Sequence, residues 1–175
     1  MERLARYVLI AKAYEDAMGR LEGVRPRSVS PDVERAFAAI GEALWWTVIL
    51  EKTLESPEFL GKAVYRKERD ADEYGYLVNG LRFARNQIQH DQSVAELLEV
   101  REEPGYPAAY GGFFGDWYWR CLKGNGDPGS RIYRRHIQGT VARETLRRVR
   151  PFFERMVREV EERIVSRVLE DDMKG

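Results

Sequence analysis

Residues 73–91, EYGYLVNGLRFARNQIQHD, carry the helical pattern around which the rest of the chain is organised. Apolar side chains recur in it at spacings of four, three and four residues, the period of one face of an α-helix. They are Leu77, Leu81, Ala84 and Ile88. The intervening positions are largely polar, and we expect them to occupy the opposite side of the helix.

The polar side of this helix ends in three side chains suited to bind a small anion. Arg85 and Asn86 are adjacent, and His90 follows Asn86 by one helical turn, so Asn86 and His90 share a face. A solvated face usually alternates acidic and basic residues, whereas this one offers a guanidinium, an amide and an imidazole. We therefore take Arg85, Asn86 and His90 as candidate catalytic residues, with Arg82 and Gln89 as candidate substrate-binding residues.

Length and composition set the broad class of the protein. The 175 residues suggest a single domain, 1–175, and a formal net charge of zero gives no overall electrostatic reason for nucleic-acid or membrane binding. The apolar run 36–50 contains Glu42 and is too short to span a bilayer. A single cysteine, Cys121, excludes an intrachain disulfide, and no signal-peptide pattern is visible. We expect a cytoplasmic protein without membrane contact, with Cys121 as a partly buried thiol.

Helical periods in the other segments predict an all-α fold, an antiparallel bundle of four to five helices. The predicted segments are 2–22, 30–54, 57–69, 73 to about 98, and 141–169. The Ser30-Pro31 and Ser56-Pro57 pairs are start signals for the second and third helices. Pro151 should kink the last helix or split it after residue 150. The second helix has a wide apolar arc, which requires either two neighbours within the bundle or a partner subunit.

Residues 104–138 interrupt the helical pattern with glycine, proline and aromatic residues. We expect one long ordered loop or a small β-hairpin inserted here, with 117–119 and 132–133 as strands and GNGDPGS as the turn. An irregular lid is the alternative. The rings of Trp117, Tyr118 and Trp119 fit the core of such a hairpin better than a base-stacking surface.

Residues 131–150 form a basic strip with seven arginines and one acidic residue, Glu144. The strip could follow a nucleic-acid backbone, with Arg143 and Arg147 as candidate substrate-binding residues. Alternatively, its arginines pair with the acidic C-terminal helix or with Glu96 and Glu99. The strip also repeats the Arg-x4-His spacing at Arg131 and His136, but in a segment that reads as a strand.

The stretch RFARNQIQH resembles the motif of the HEPN superfamily, small all-α domains in which Arg, a polar residue (often Asn) and a His four to six residues after the Arg recur. Residues 85, 86 and 90 match that motif. The flanking LRFARN and the later HIQGTVARETLRRVRPFF also resemble a group of bacterial proteins of similar size without an assigned function. Many HEPN toxins carry a modified tyrosine two residues after the His, where this chain has Gln92.

The resemblance implies a metal-independent endoribonuclease without a cofactor, of the toxin or defence type, with RNA and a cognate antitoxin as candidate partners. Cleavage of RNA through its own 2′-hydroxyl needs a base, an acid and positive charge on the phosphorane. One histidine does not readily serve as base and acid at once, so we expect a homodimer that brings two copies of His90 and Arg85 to one cleft.

Two rival functions remain open from the sequence. In the first, Arg85 and His90 are structural and the protein is a non-catalytic helical interaction module. In the second, the same arginine binds a nucleotide or RNA without cleaving it.

Overall fold

The computed structural model describes residues 2–23, 30–90, 94–102, 115–123 and 126–172. These residues are mostly helical, and they include one small antiparallel sheet of two strands. The helices are α1 (Glu2–Gly23), α2 (Ser30–Leu54), α3 (Lys62–Ala71), α4 (Leu77–His90), α5 (Val94–Leu97), α6 (Pro128–Ile132), a π-helical turn (Tyr133–Ile137) and α7 (Ala142–Asp172). The strands are β1 (Leu98–Glu102) and β2 (Gly115–Trp119). Within these ranges, no helix is both long and apolar enough to cross a membrane.

Helices α1 and α2 confirm the predicted segments, but the predicted start of the third helix is wrong. Helix α3 begins at Lys62, after Gly61, whose φ of 79° interrupts the helical backbone. The Ser56-Pro57 pair instead opens turns, in which Phe59 N and Gly61 N both donate to the Ser56 carbonyl. The Ser-Pro pair, expected to start a helix, therefore opens a turn that ends at Gly61, directly before α3.

The strand at 117–119 was predicted to pair with 132–133, and this pairing is wrong. Strand β2 pairs with β1, with Leu98 opposite Trp119 and Val100 opposite Trp117, so the fourth helix does not continue through Leu98. Ile132 and Tyr133 are helical, because Asp127 caps α6 by accepting a hydrogen bond from Ser130 N at 2.6 Å. The sequence DPGS is thus a helix start rather than a hairpin turn.

Aromatic side chains of β2 and α7 contribute to the buried core. Trp119 is fully buried, and the Trp117 ring lies 5.6 Å from the Phe37 ring. These contacts confirm the predicted packing role of Trp117 and Trp119. Helix α7 runs unbroken through Pro151, so the predicted split is wrong. Phe152 and Phe153 are both buried directly after this proline.

The wide apolar arc of α2 is mostly covered by the chain itself. Helix α2 packs against α1, α4 and α7, which supplies the additional neighbours that the sequence required. Trp45 is the large apolar side chain of α2 that stays exposed, at 44 %, among the residues described. The arc alone therefore gives little reason to invoke a partner subunit.

Two glycines allow α6 and the π-helical turn to lie directly against α4. A Cβ atom on Gly129 would lie 2.9 Å from the Asn79 carbonyl oxygen and 3.2 Å from Phe83 Cβ. A Cβ atom on Gly80 would lie 3.1 Å from Tyr133 N. The close approach fixes the start of α6 beside the polar side chains of α4.

Substitution of Gly129 by alanine should therefore destabilise the fold, by about 1–3 kcal/mol, because a backbone oxygen must move to admit the methyl group. Gly19→Ala is the matched control, since nothing lies within 4 Å of a Cβ atom there and alanine favours a helix. The control should gain up to about 1 kcal/mol. Urea unfolding of both variants measures the difference, and equal stabilities would contradict the close packing of α4 and α6.

Candidate functional site

A buried carboxylate in α2 positions α4. Glu51 is fully buried, and its Oε1 accepts hydrogen bonds from Arg69 Nη1 of α3 and Arg82 Nη1 of α4, each at 3.3 Å. Arg82 also donates to Asn79 Oδ1 at 2.9 Å. Burial raises the pKa of the Glu51 carboxyl to about 7, although the neighbouring Arg82 and Arg69 lower it. Arg82, predicted to bind substrate, is thus held in an interhelical ion-pair network.

Arg85 lies on the buried side of α4, so the prediction that it belongs to the polar side, opposite the apolar stripe, is wrong. Arg85 is only 4 % exposed, and its guanidinium carbon lies 4.2 Å from the centre of the Trp45 ring. The Nε atom is shielded from solvent and has no hydrogen-bond partner. Within the described residues, the Arg85 guanidinium stacks on the Trp45 ring, and no carboxylate pairs with it.

Arg69 offers a direct comparison for Arg85. Both arginines are 4 % exposed. Arg69 pairs with Glu51 and also with Asp70, where the nitrogen–oxygen distance is 2.9 Å. Burying a charge without a counterion costs several kcal/mol, and a stacked indole returns on the order of 1–2 kcal/mol of that cost. Arg85 is therefore a buried cation that has no carboxylate partner among the residues described.

Asn86 is exposed and faces a polar cleft between α4 and the start of α6. The cleft has a volume of about 310 Å³. Its lining combines amide, aromatic and charged side chains with one proline and one glycine: Asn79, Arg82, Phe83, Asn86, Gln87, Asp127, Pro128 and Gly129. Side-chain amides both donate and accept hydrogen bonds, so the cleft can bind a polar ring or a sugar.

Two predicted site residues lie at the end of α4, where the side chains are outside the described part of the structure. They are Gln89 and His90. The helix itself extends to His90, so Asn86 and His90 are separated by one continuous turn. The buried stripe is confirmed for Leu77, Leu81 and Ala84, whereas the Ile88 side chain also lies outside the described set.

The basic strip 131–150 contains both paired and unpaired arginines. Arg143 lies 2.7 Å from Asp116, and Arg147 lies 2.8 Å from Glu144, so these two candidate substrate-binding residues already have counterions. Arg150 contacts Glu15, Glu22 and Glu154. These arginines are paired, as the alternative predicted, but only Glu144 and Glu154 belong to the C-terminal helix, and neither Glu96 nor Glu99 is a partner. The arginines at 131, 134 and 135 have no such partners among the residues described.

The second Arg-x4-His pair lies in a different environment from the first. His136 is exposed within the π-helical turn, and its Nδ1 lies 3.4 Å from the Tyr76 hydroxyl. Cys121 is exposed, contrary to the expected partial burial. Within the described ranges, no group of three or more His, Cys, Asp or Glu side chains could hold a metal ion.

Comparisons with known proteins add no relative: no family model, no curated protein and no solved structure matches the chain. Membership of the HEPN superfamily therefore stays a prediction from the motif at 85, 86 and 90.

Sequence reasoning missed the two residues that define the environment of Arg85 and Arg82. Glu51 was detectable, because an acidic residue within an apolar helical arc requires cations on neighbouring helices. Trp45 was not detectable, because the sequence does not show which indole of the Trp45-Trp46 pair stacks on an arginine of another helix.

Replacement of each buried arginine by methionine should separate their roles. Arg85→Met removes an uncompensated charge, so the free energy of unfolding should stay unchanged or rise, by up to about 2 kcal/mol. Arg69→Met leaves Glu51 with a poorer set of partners and should lose about 3 kcal/mol or more. Chemical denaturation measures both. A loss in Arg85→Met as large as that in Arg69→Met would show that Arg85 supports the fold.

Proposed function

We propose that the protein is an RNA-cleaving domain of the HEPN type, in which Arg85 binds the phosphate at the scissile bond. The observation that carries the proposal is the burial of Arg85 on Trp45 without a carboxylate among the described residues. A phosphate is a suitable anion, because guanidinium binds its oxygens through two parallel hydrogen bonds. In this proposal the helices form an antiparallel bundle that supports α4.

The proposed reaction uses the RNA's own 2′-hydroxyl as the nucleophile. A base removes the proton from this hydroxyl, its oxygen attacks phosphorus, and the 5′-oxygen leaves as it accepts a proton from an acid. The products are a 2′,3′-cyclic phosphate and a 5′-hydroxyl. Arg85 stabilises the negative charge on the phosphorane, Asn86 orients the phosphate or the imidazole, and His90 transfers a proton.

Two histidines are needed when base and acid act together, so the proposed enzyme is a homodimer with a shared cleft. The exposure of Trp45, directly over Arg85, supports a contact between copies at this surface. The amides of Asn79, Asn86 and Gln87 support binding of a nucleotide in the adjacent cleft. A toxin or defence role, a cognate antitoxin and a cytoplasmic location belong to the same proposal and rest on the resemblance alone.

A second candidate function is docking of another protein. Three large apolar side chains of α1 are exposed, Leu4 at 41 %, Val8 at 53 % and Leu9 at 68 %. They favour a non-catalytic interaction module, in which Arg85 would be a structural residue. The unfolding comparison of Arg85→Met and Arg69→Met separates this candidate from the enzyme.

The enzyme proposal predicts cleavage of RNA in EDTA, with a bell-shaped pH profile and a 2′,3′-cyclic phosphate end. His90→Ala and Arg85→Met should each lose about 10²-fold or more in rate, since they remove a proton-transfer group and a charge stabiliser. The measurement is product formation from defined oligoribonucleotides and from total RNA. Arg163→Gln, which changes a half-buried arginine paired with Glu159 on α7, is the control and should retain the wild-type rate.

Two outcomes of this assay contradict the proposal. In the first, wild type and His90→Ala are equally inactive on every RNA. In the second, His136→Ala abolishes the chemical step while His90→Ala retains it, which would assign the reaction to the second Arg-x4-His pair.

A further inference from the structure

The helical segment 128–137 carries three arginines to which the described structure gives no counterion. Arg131, Arg134 and Arg135 are exposed and have no ion pair or hydrogen bond with any described side chain. Some arginines elsewhere are paired, since Arg20 contacts Glu42 and Arg66 contacts Glu55. Others, such as Arg6, Arg120 and Arg158, are exposed without an ion pair among the residues described, but only this segment places three such arginines within five residues. We call Arg131, Arg134 and Arg135 the basic face.

The backbone of the segment keeps the basic face turned toward solvent. Ser130, Tyr133 and Ile137 are buried at spacings of three and four residues, so they form the inner side of the segment. The Tyr133 hydroxyl donates to the Arg120 carbonyl at 2.7 Å and fixes this orientation. Arginines that are three and four residues apart are neighbours on a helical surface, so the three charges act together.

Two aromatic rings lie at one end of the basic face. The Tyr76 ring, which is half-buried, lies edge-on to the exposed ring of His136, with centroids 5.1 Å apart. Unpaired bases stack on such rings beside cations, which is the usual arrangement of single-stranded nucleic-acid binding. An acidic peptide would use the arginines but would gain nothing from the rings.

The position of the segment links the basic face to the candidate site. Gly129 lies against Asn79 and Phe83 at the cleft, and His136 lies against Tyr76 at the N-terminal end of α4. The segment therefore starts at the cleft and runs back along α4. An RNA strand bound in the cleft would meet the basic face as it continues along this surface.

We propose that the basic face binds the phosphate backbone of single-stranded RNA, with Tyr76 and His136 contacting a base. The inference rests on the proposed function in one respect, because it assigns a second contact to the same RNA. Binding is nevertheless independent of cleavage, so the two can be tested apart.

The test uses a fluorescent 2′-O-methyl oligouridine, which has no free 2′-hydroxyl and is not cleaved. Anisotropy titrations over a salt series compare wild type with Arg131→Gln/Arg134→Gln/Arg135→Gln. The matched control is Arg20→Gln/Arg66→Gln/Arg163→Gln, which removes the same charge from one exposed and two half-buried arginines that have carboxylate partners. Loss of three phosphate contacts should weaken binding about 10- to 100-fold and reduce the salt slope by about 2. The control should lose little affinity.

Wild-type affinity and salt slope in the basic-face variant would overturn the inference, as would an equal loss in the control. Polyglutamate and polyuridine can be compared as competitors for the bound oligouridine. If both displace it at the same concentration of negative charge, the basic face binds acidic proteins equally well, and the inference is overturned. If the wild type binds no oligouridine, the proposed function fails together with the inference. If the wild type and the basic-face variant bind equally, the inference alone fails.

Discussion

The carboxylate of Glu51, buried among three helices, is the constraint on which the rest of the site depends. It binds Arg69 of α3 and Arg82 of α4 through a single oxygen, so the three helices must meet where α2 is otherwise apolar. A buried ion pair contributes little net stability compared with apolar packing, but loss of one partner is costly. The pair therefore favours one arrangement of α4, and that arrangement places Arg85 beneath Trp45 and Asn86 at the cleft.

The balance of charges on α4 explains why one of its arginines is a candidate ligand-binding residue and the other is not. Arg82 is paired with Glu51, whereas Arg85, one helical turn onward, has an aromatic ring in place of a carboxyl group. The same contrast recurs in the basic strip, where Arg143 pairs with Asp116 and Arg131 pairs with no described residue. In a chain of zero net charge, cations without acidic partners are the positions where an external anion gains most.

The sequence predicted what depends on local periodicity and missed what depends on the neighbouring element. Helices α1 and α2 follow from their apolar spacing, and so does the buried stripe of α4. The helix predicted from residue 73 extended to about residue 98, and strand β1 at 98–102 was missed because its partner at 115–119 is remote in sequence. The burial of Arg85 was missed, because only the packing of α2 shows that Trp45 covers this residue of the polar side. The environments of the candidate site residues therefore needed the tertiary structure, although the residues themselves did not.

The most direct test of the account is the NMR signal of the Arg85 Nε–Hε group during titration with 2′-O-methyl oligouridine. In the free protein this Nε is shielded and lacks an acceptor, and Arg85→Lys, which has no such group, assigns its signal by loss. Binding of phosphate by Arg85 predicts a saturable shift of the Arg85 signal, while the signal of Arg69, held by Glu51 and Asp70, stays in place. An unchanged Arg85 signal with the oligonucleotide fully bound would contradict the claim that this buried cation binds RNA phosphate.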